Sequence, residues 1–229
     1  MIFQRLFKMI MKSIRKHEIH YINDIPNVSG NCIYAVNHSC KWDSQYMMEV
    51  LPRPLYILVG KQRLDLIDRF GFIWSGTVWV DRQNKGSKAK SKEKLNKLLQ
   101  KGKNICIFPE GTWNLTPEKP MLPLHWGIIE LAQKAGCPIV PITLEYEGKK
   151  NCRYSIGQPL YVSWEDDKAE MIAKLRDEMS TMRWEAWEEF AQSKREDVTM
   201  EDFYEYTKVR LEEYPKLDVE FEKTTILQK

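Results

Sequence analysis

The sequence predicts an α/β fold with a largely parallel central sheet flanked by helices, and three observations support this prediction. Short apolar runs typical of buried strands alternate with segments of helical spacing between residues 31 and 146. Hydrophobic residues make up 43% of the 229 residues, which is enough for a sizeable core in one domain. Charged residues make up 29%, which argues against a chain buried in a membrane.

Five apolar runs predict the strands of this sheet. They are residues 31–37, 55–60, 77–82, 104–108 and 138–146. Two shorter runs, 152–157 and 160–164, predict strands near an edge of the sheet. Pro141 interrupts the fifth run, and because proline is disfavoured in central strands, we expect an edge, a bulge or the wall of a site there.

Helical segments fill the intervals between the strands. They are predicted at residues 42–51, 64–70, 87–102 and 124–136. Gly102 and Gly136 end the last two, as glycine commonly does at the carboxyl end of a helix.

The C-terminal part of the sequence is highly charged and helical in pattern. Residues 165–192 carry many oppositely charged pairs four positions apart, which stabilise helices. Residues 199–214 predict another helix with Thr199 as its N-cap. We therefore expect residues 164–229 to be a helical extension of a domain whose α/β core covers residues 21–163.

Residues 1–20 predict an amphipathic helix at the membrane interface. Apolar side chains recur at helical spacing, basic side chains take much of the other face, and no acid precedes Glu18. Such a helix inserts its apolar face among lipids and places its cations on anionic headgroups. The alternative is a first helix that packs on the core and solvates its lysines. Because no uncharged run approaches the roughly 20 residues that span a bilayer, we expect peripheral attachment at the cytoplasmic face.

Positive charge is concentrated in the first half of the chain. Residues 1–110 carry ten more basic than acidic side chains, which predicts an anionic partner such as phospholipid headgroups, a phosphorylated substrate or nucleic acid. Eight lysines lie between positions 85 and 103, with Glu93 as the only acid, and form either a solvated helix face or a membrane-facing patch. Because no RNP, zinc-finger or helix-turn-helix pattern occurs, no nucleic-acid partner is expected.

The cysteines and histidines argue against disulfides and metal sites. The five cysteines are scattered, odd in number and without a CxxC pair, which favours reduced thiols in a cytosolic compartment. The four histidines form neither an HxxxH nor an HExxH pattern, so no metal site is expected.

His38 and Asp43 are the first candidates for catalysis, in the stretch AVNHSCKWDSQYM at 35–47. His38 follows an apolar strand, and the carboxyl edge of an open α/β sheet is where ligands bind. A carboxylate on one ring nitrogen fixes the tautomer, so that the other nitrogen can take a proton from a hydroxyl or from water. The spacing alone leaves a structural alternative open, in which His38 lies in a turn and Asp43 caps the next helix.

Glu110 is the second candidate, in the stretch CIFPEGTWN at 106–114. It follows a predicted strand as His38 does, after Pro109, which forces an extended exit, and before Gly111, which permits an unusual backbone angle. If the two strand ends converge on one crevice, a base and an acceptor-binding carboxylate lie together. The alternative is a tight turn with a solvated glutamate.

Four stretches resemble, in order, the motifs of the glycerolipid acyltransferase family, which includes the 1-acylglycerol-3-phosphate acyltransferases. NHSCKWD resembles the H-x4-D motif of that family, GTVWVDR its second motif, FPEGTWN its third and PIVPI its fourth. The resemblance covers residues 31–143 and implies an enzyme of phospholipid biosynthesis that needs no metal or bound cofactor.

The resemblance implies the catalytic roles. His38 would be the general base that removes the proton of an acceptor hydroxyl, and Asp43 would orient His38 and stabilise its charge. The hydroxyl would attack the thioester of an acyl-CoA or acyl carrier protein directly, with no acyl-enzyme.

The resemblance also implies a set of substrate-binding residues. The set is Lys61, Gly76, Arg82, Glu110, Gly111, Thr112 and Pro141. Gly76 and Arg82 would help to bind the phosphate of the acceptor. Glu110 and Gly111 would hold its glycerol part, and Pro141 would line the acyl side.

The third motif departs from the family, where it commonly continues as Gly-Thr-Arg-Ser. This chain has Trp113 at the position of the arginine, which binds phosphate through two hydrogen bonds as tryptophan cannot. Either Arg82, Lys61 or the lysines of 85–103 supply the missing contact, or the acceptor is another lysophospholipid, an acylated amino acid or a glycolipid.

The expected function is that of a peripheral membrane acyltransferase. It would move a fatty acyl group from acyl-CoA or acyl carrier protein to the free hydroxyl of a lysophospholipid such as 1-acylglycerol 3-phosphate, on a membrane surface with anionic lipids. Two other classes stay open: a non-catalytic basic membrane-binding protein with this fold, and a hydrolase in which His38 activates water.

Overall fold

The computed structural model describes most of the chain, including every predicted strand. The described residues are 6, 9, 10, 13, 18–21, 26, 28–52, 54–61, 72–73, 76–115, 119–147, 151–189 and 199–213. The predicted helical stretch at 64–70 lies outside them. So does most of the predicted amphipathic segment, of which positions 6, 9, 10 and 13 are described and helical.

Within the described ranges, one sheet of seven strands forms the centre of the molecule. The strands are β1 (Glu18–Tyr21), β2 (Ile33–Val36), β3 (Leu55–Gly60), β4 (Thr77–Val80), β5 (Asn104–Ile107), β6 (Ile139–Glu147) and β7 (Asn151–Ile156). Their spatial order is β1-β7-β6-β2-β5-β3-β4. All neighbours are parallel except β6 and β7, so β7 and β1 run opposite to the other five strands. The predicted α/β class and largely parallel sheet are confirmed.

Five described helices pack around the sheet or follow it. They are α1 (Asp43–Val50), α2 (Lys85–Gln100), α3 (Gly127–Ala135), α4 (Lys168–Glu189) and α5 (Met200–Glu213). Gly136 ends α3 with a φ of 63°, a left-handed angle that glycine adopts without a steric cost. The hydroxyl of Thr199 accepts the Asp202 N–H at the start of α5, which confirms the predicted N-cap.

The helices bury both faces of the sheet. On one face, Tyr46 and Met47 of α1 belong to a cluster with side chains of β2, β3 and β6. On the other face, Leu95 of α2, Ile129 of α3 and Leu175 of α4 share a second cluster. Helix α4 is therefore one of the covering layers of the sheet. Such two-sided coverage is what a parallel sheet requires, because its strands are apolar on both faces.

Two sequence expectations at the antiparallel side of the sheet need correction. The sequence pattern predicts residues 18–20 in the N-terminal helix, but Glu18–Tyr21 pair with β7, and Ile19 packs on the core. This run is too short for its alternation to stand out from the helical pattern before it. The predicted strand at 160–164 is a single bridge between Leu160 and Ile139. Because β1 takes the outer position, β7 is an interior strand.

Pro141 lies in the interior strand β6, where the sequence predicted an edge, a bulge or a site wall. Its carbonyl accepts the N–H of Gly157, just after β7 ends. A residue in a strand directs its nitrogen and its oxygen to the same side, so the missing donor of Pro141 faces the end of the β7 ladder. The pairing of β6 with β2 is left intact, which explains why proline is tolerated here.

Asn37 continues the β2–β6 ladder with its side chain. The side chain is fully buried; its Oδ1 accepts the Leu144 N–H at 2.6 Å, and its Nδ2 donates to the Leu144 carbonyl at 3.0 Å. One amide thus replaces the backbone partner that β6 loses where β2 ends. The exit of the chain from β2 is fixed relative to β6 by this contact.

We expect Asn37→Ala to lower the free energy of unfolding by about 2–4 kcal/mol, because two buried backbone groups of Leu144 lose their partner. Urea denaturation followed by circular dichroism measures the change. Asn31→Ala, at the half-buried start of the same segment, is the matched control and should change stability by less than about 0.5 kcal/mol. Equal effects of the two substitutions would contradict the structural role of Asn37.

Candidate active site

His38 and Glu110 meet at the carboxyl edge of the sheet. They follow β2 and β5, which are parallel neighbours, so the two chain segments leave the sheet side by side. The His38 N–H donates to Glu110 Oε1 at 2.9 Å. The His38 ring stacks on Phe108 with centroids 4.3 Å apart, and 18% of the His38 side chain is exposed. The predicted convergence of the two strand ends is therefore present.

Asp43 is bonded to the His38 ring, and the distance from Asp43 Oδ2 to His38 Nδ1 is 2.7 Å. The same oxygen accepts the N–H groups of Ser39 and Cys40 at 2.6 and 2.9 Å. The other oxygen accepts the Cys40 thiol at 3.4 Å and the Tyr146 hydroxyl. This fully buried carboxylate thus receives five donors.

The donors keep Asp43 ionised in spite of its burial. Burial by itself raises the pKa of Asp43, but the hydrogen bonds from His38, Tyr146 and the Cys40 backbone outweigh it and hold the pKa below its usual range. An ionised carboxylate only accepts hydrogen bonds, so His38 Nδ1 carries the proton. His38 Nε2 accepts the indole N–H of Trp113 at 3.0 Å, so this nitrogen presents its lone pair. The ring is therefore in the tautomer that a general base needs.

Asp43 does not cap helix α1, which was the structural alternative in the sequence. Asp43 is the first residue of the helix, and the residue at the N-cap, Trp42, makes no side-chain cap bond. The carboxylate instead turns back onto the loop at Ser39 and Cys40. The five-residue spacing thus joins the end of a strand to the first turn of a helix through one buried charge.

Tyr146 is a site residue that the motifs did not identify. It lies in β6, its hydroxyl donates to Asp43 Oδ1, and burial together with the Asp43 charge raises its pKa well above 10. The hydroxyl therefore stays a donor. Only the pairing of β2 with β6 brings this residue to the site, and that pairing is not readable from local sequence.

Glu110 is not the solvated glutamate of a tight turn, which was the structural alternative in the sequence. It is fully buried, and its second oxygen, Oε2, accepts the Leu122 N–H at 2.9 Å. Burial raises the pKa of Glu110 to about 7, while the hydrogen bonds from the His38 and Leu122 backbone and the charge of Arg183 oppose that rise. The carboxylate joins the loop after β2 to the loop before α3. The contact with the glycerol of an acceptor, which the resemblance implies, stays a prediction.

Because Gly111 has no side chain, His125 in the loop before α3 can lie against the turn that follows β5. The φ of Gly111 is 72°, and a Cβ at this position would lie 2.6 Å from Nε2 of His125. Any side chain at position 111 would displace His125. Thr112 follows, half-buried, and Trp113 comes next with its indole directed at His38. Gly111 and Thr112 thus belong to the turn that carries Trp113 to the His38 ring.

Lys61 and Arg82 extend the same edge of the sheet. They follow β3 and β4, and Lys61 Nζ lies 3.9 Å from an oxygen of Asp81. The Arg82 guanidinium lies over Gly60, where an added Cβ would be 3.2 Å from two of its nitrogens. The absence of a side chain at Gly60 lets the Arg82 side chain lie across the end of β3, one strand closer to His38.

Gly76 and Pro141 are not at this crevice. Gly76 precedes β4, at the amino edge of the sheet, and the four residues of β4 put about 13 Å between that edge and Arg82. Pro141 crowds Gly157 together with Met182 of α4, on the face opposite to the cluster that holds Phe108. The predicted contact of Gly76 with the phosphate of the acceptor and the predicted place of Pro141 on the acyl side stay predictions.

The described residues contain no cluster of three or more His, Cys, Asp or Glu side chains that would hold a metal ion. All five cysteines are buried and none forms a disulfide. Burial raises the pKa of the Cys32 thiol to about 11 and that of Cys137 to about 12. These thiols are protonated at neutral pH.

Comparison with known proteins places these motifs in a family. A family model described as Acyltransferase matches residues 13–145. The chain is 33% identical over 133 residues to 1-acyl-sn-glycerol-3-phosphate acyltransferase alpha of Homo sapiens, and 28% identical over 136 residues to the chloroplastic 1-acyl-sn-glycerol-3-phosphate acyltransferase BAT2 of Brassica napus. It is 27% identical over 143 residues to the Saccharomyces cerevisiae 1-acyl-sn-glycerol-3-phosphate acyltransferase.

The matches cover part of each protein. They span 55%, 58% and 61% of this chain and 46%, 38% and 47% of the human, Brassica and yeast proteins. The crystal structure of the 1-acyl-sn-glycerophosphate acyltransferase PlsC from Thermotoga maritima superposes with a TM-score of 0.59 at 15% identity. That superposition covers 84% of this chain and 80% of the other, and it shows a shared fold.

We expect the stability contributed by Glu110 to fall between pH 4.5 and 7. The folded protein keeps the proton of Glu110 up to a pKa of about 7, whereas the unfolded chain releases it near 4.5. The folded state therefore binds more protons in this window, and its stability declines as pH rises through it.

Urea denaturation of the wild type and of Glu110→Gln at several pH values tests this expectation. The glutamine does not titrate, so the difference between the two proteins isolates Glu110. The free energy of unfolding of the wild type minus that of Glu110→Gln should decrease from pH 4.5 to 7 and stay constant above pH 7. A difference that is constant across the window would contradict the raised pKa.

Proposed function

The chain belongs to the acyltransferase family, and from this premise we propose that it transfers a fatty acyl group from acyl-CoA or acyl carrier protein to the free hydroxyl of a lysophospholipid such as 1-acylglycerol 3-phosphate. One observation carries the proposal: His38 Nδ1 lies 2.7 Å from a buried, ionised Asp43, so that Nε2 holds the lone pair of a general base. The names of the relatives support this class of acceptor.

The proposed reaction is a direct transfer. His38 Nε2 takes the proton of the acceptor hydroxyl as its oxygen attacks the thioester carbonyl carbon. The carbon–sulfur bond then breaks, and the thiolate takes the proton from His38 as it leaves. Asp43 stabilises the transient imidazolium, and base catalysis of this kind contributes about 10²–10⁴-fold to the rate.

We propose that Lys61 and Arg82 bind the phosphate of the acceptor. Strands β2 and β3 are separated by β5, which makes the distance between their carboxyl ends about 10 Å. A glycerol phosphate and a long cationic side chain together span such a distance. Because the Arg82 guanidinium lies over Gly60, the positive charge of Arg82 is at the end of β3.

Trp113 supports a second class of acceptor. An indole cannot hold a phosphate as the arginine common in the family does, and Trp113 lies at the His38 ring itself. This favours a lipid whose headgroup near the base is not a phosphate, such as an acylated amino acid or a glycolipid. A screen of acceptors separates the two classes.

We propose that the protein acts at the cytoplasmic face of a membrane, bound to anionic lipids from one side. The described N-terminal positions Leu6, Met9 and Ile10 are exposed and apolar, with 45–68% of each residue accessible. Seven of the eight lysines between 85 and 103 are exposed as well. Within the described part of the chain, no helix has the length and apolar character to cross a bilayer.

We expect His38→Ala to lower acyl transfer at least about 100-fold with the fold intact, because the proton of the acceptor loses its base. Purified protein, labelled acyl-CoA and a panel of lysophospholipids, acylated amino acids and lysoglycolipids are combined, and products are identified by lipid mass spectrometry. The exposed His20 in β1 provides the control: His20→Ala should retain full activity.

Full transfer by His38→Ala would exclude the proposed mechanism. Thioester cleavage that is independent of every acceptor would indicate a hydrolase. Membrane binding without thioester cleavage by the wild type would indicate a non-catalytic protein.

We expect deletion of residues 1–16 to weaken binding to anionic vesicles at least about tenfold, since each cation near such a surface contributes about 1 kcal/mol and the segment carries five. Co-sedimentation with phosphatidylglycerol-containing vesicles measures the change, and pure phosphatidylcholine vesicles are the control. Unchanged co-sedimentation would locate the attachment elsewhere.

A further inference from the structure

The indole of Trp113 occupies the nitrogen of His38 that the proposed reaction uses. Trp113 Nε1 donates to His38 Nε2 at 3.0 Å, and the two rings meet edge-on with centroids 5.8 Å apart. We propose that Trp113 is a specificity-determining residue: its N–H caps the base against water until the hydroxyl of a bound lipid displaces it. This inference rests on the proposed function.

The geometry makes the indole and the substrate mutually exclusive. Because Asp43 holds the proton on Nδ1, Nε2 has a single lone pair in the plane of the ring. That lone pair accepts one hydrogen bond, which Trp113 already makes. A hydroxyl or a water molecule can be activated only after the indole N–H has moved away.

The backbone around Trp113 is held at both ends, so the displacement is a rotation of the side chain. Before it, Glu110 bonds to the backbone of His38 and Leu122. After it, the Asn114 N–H donates to the His38 carbonyl at 2.7 Å, and the Asn114 side chain donates to the Lys119 carbonyl at 2.8 Å. Trp113 itself is 6% exposed.

The cap distinguishes a lipid hydroxyl from water by binding energy. A water molecule gains little by replacing the indole, because it exchanges one hydrogen bond for another. A lipid that is also bound through its headgroup and acyl chain has free energy available to move the ring. The thioester is thereby protected from hydrolysis, in which water would add to the carbonyl carbon and release a fatty acid and a thiol.

Trp113→Phe tests the proposal, because it removes the N–H donor and keeps an aromatic ring. The exposed Trp164, changed to Phe, is the matched control. The first measurement needs no substrate, because diethyl pyrocarbonate modifies free imidazole nitrogens. Mass spectrometry measures the rate of modification of His38 relative to that of His20 in the same sample. We expect modification of His38 about 2- to 10-fold faster in Trp113→Phe than in the wild type or the control, the range that the loss of one hydrogen bond allows.

The second measurement is the release of thiol from acyl-CoA without any acceptor. It should rise by a similar factor in Trp113→Phe, so that the ratio of hydrolysis to transfer increases. An unchanged rate of His38 modification in a folded Trp113→Phe protein would overturn the cap. So would unchanged hydrolysis in a variant that still transfers acyl groups.

A third measurement covers the case in which Trp113→Phe does not fold. In His38→Ala, one indole N–H signal among the eight tryptophans should change its NMR shift and exchange faster with solvent. Indole signals identical to the wild type would overturn the proposal. Faster modification of His38 with no transfer to any acceptor would keep the cap and reject the proposed function, so the two failures are distinguishable.

Discussion

The buried charge of Asp43 is the constraint on which the site depends. A carboxylate in a dry environment is stable only if its lone pairs are satisfied, and here the five donors come from His38, the next two residues of the loop and Tyr146. These donors belong to the loop after β2 and to strand β6. The same contacts that stabilise the charge therefore fix the tautomer and the orientation of the His38 ring.

The order of strands in the sheet arranges the remaining site residues. Strands β2, β5, β3 and β4 are consecutive and parallel, so the residues that follow them line one edge in that order. The base comes first, then the turn with Glu110 and Trp113, then Lys61 and Arg82. A row that begins with a proton acceptor and ends with two cations is complementary to a lipid with a hydroxyl near a phosphate: the base matches the hydroxyl, and the cations match the phosphate.

The sequence predicted most of this arrangement, and its failures have physical causes. Strands, helices and the approach of His38 to Glu110 follow from apolar periodicity and from the rule that parallel strands share a carboxyl edge. The roles of Tyr146 and Asn37 depend on which strands are neighbours, and local sequence does not contain that information. Glu110 lies at the predicted edge of the sheet, but its carboxylate accepts hydrogen bonds from backbone N–H groups. Burial decides whether a carboxylate is bonded to water or to the protein, and the local sequence does not show that Glu110 is buried.

Gly76 and Pro141 illustrate a further limit of motif-based assignment. Both belong to stretches that resemble family motifs, but a motif several residues long crosses a strand from one edge to the other or alternates between its faces. Only the residues at the carboxyl end, such as Arg82, then lie at the edge of the sheet that holds His38. A resemblance can thus identify a strand without showing which of its residues lie at the edge that holds His38.

The reversed direction of β1 has a consequence for how a lipid reaches the base. Because β1 runs with β7 and against the other five strands, its first residue, Glu18, pairs beside Asn151, at the level where β6 ends. Glu18 therefore lies at the same edge of the sheet as His38, and three strand spacings, or about 14 Å across the sheet, separate β1 from β2. If residues 1–16 bind a leaflet as proposed, the mouth of the crevice faces the headgroups. A single-chain lipid then moves only a short distance out of the leaflet to bring its hydroxyl to the base. Its acyl chain stays among the acyl chains of the leaflet.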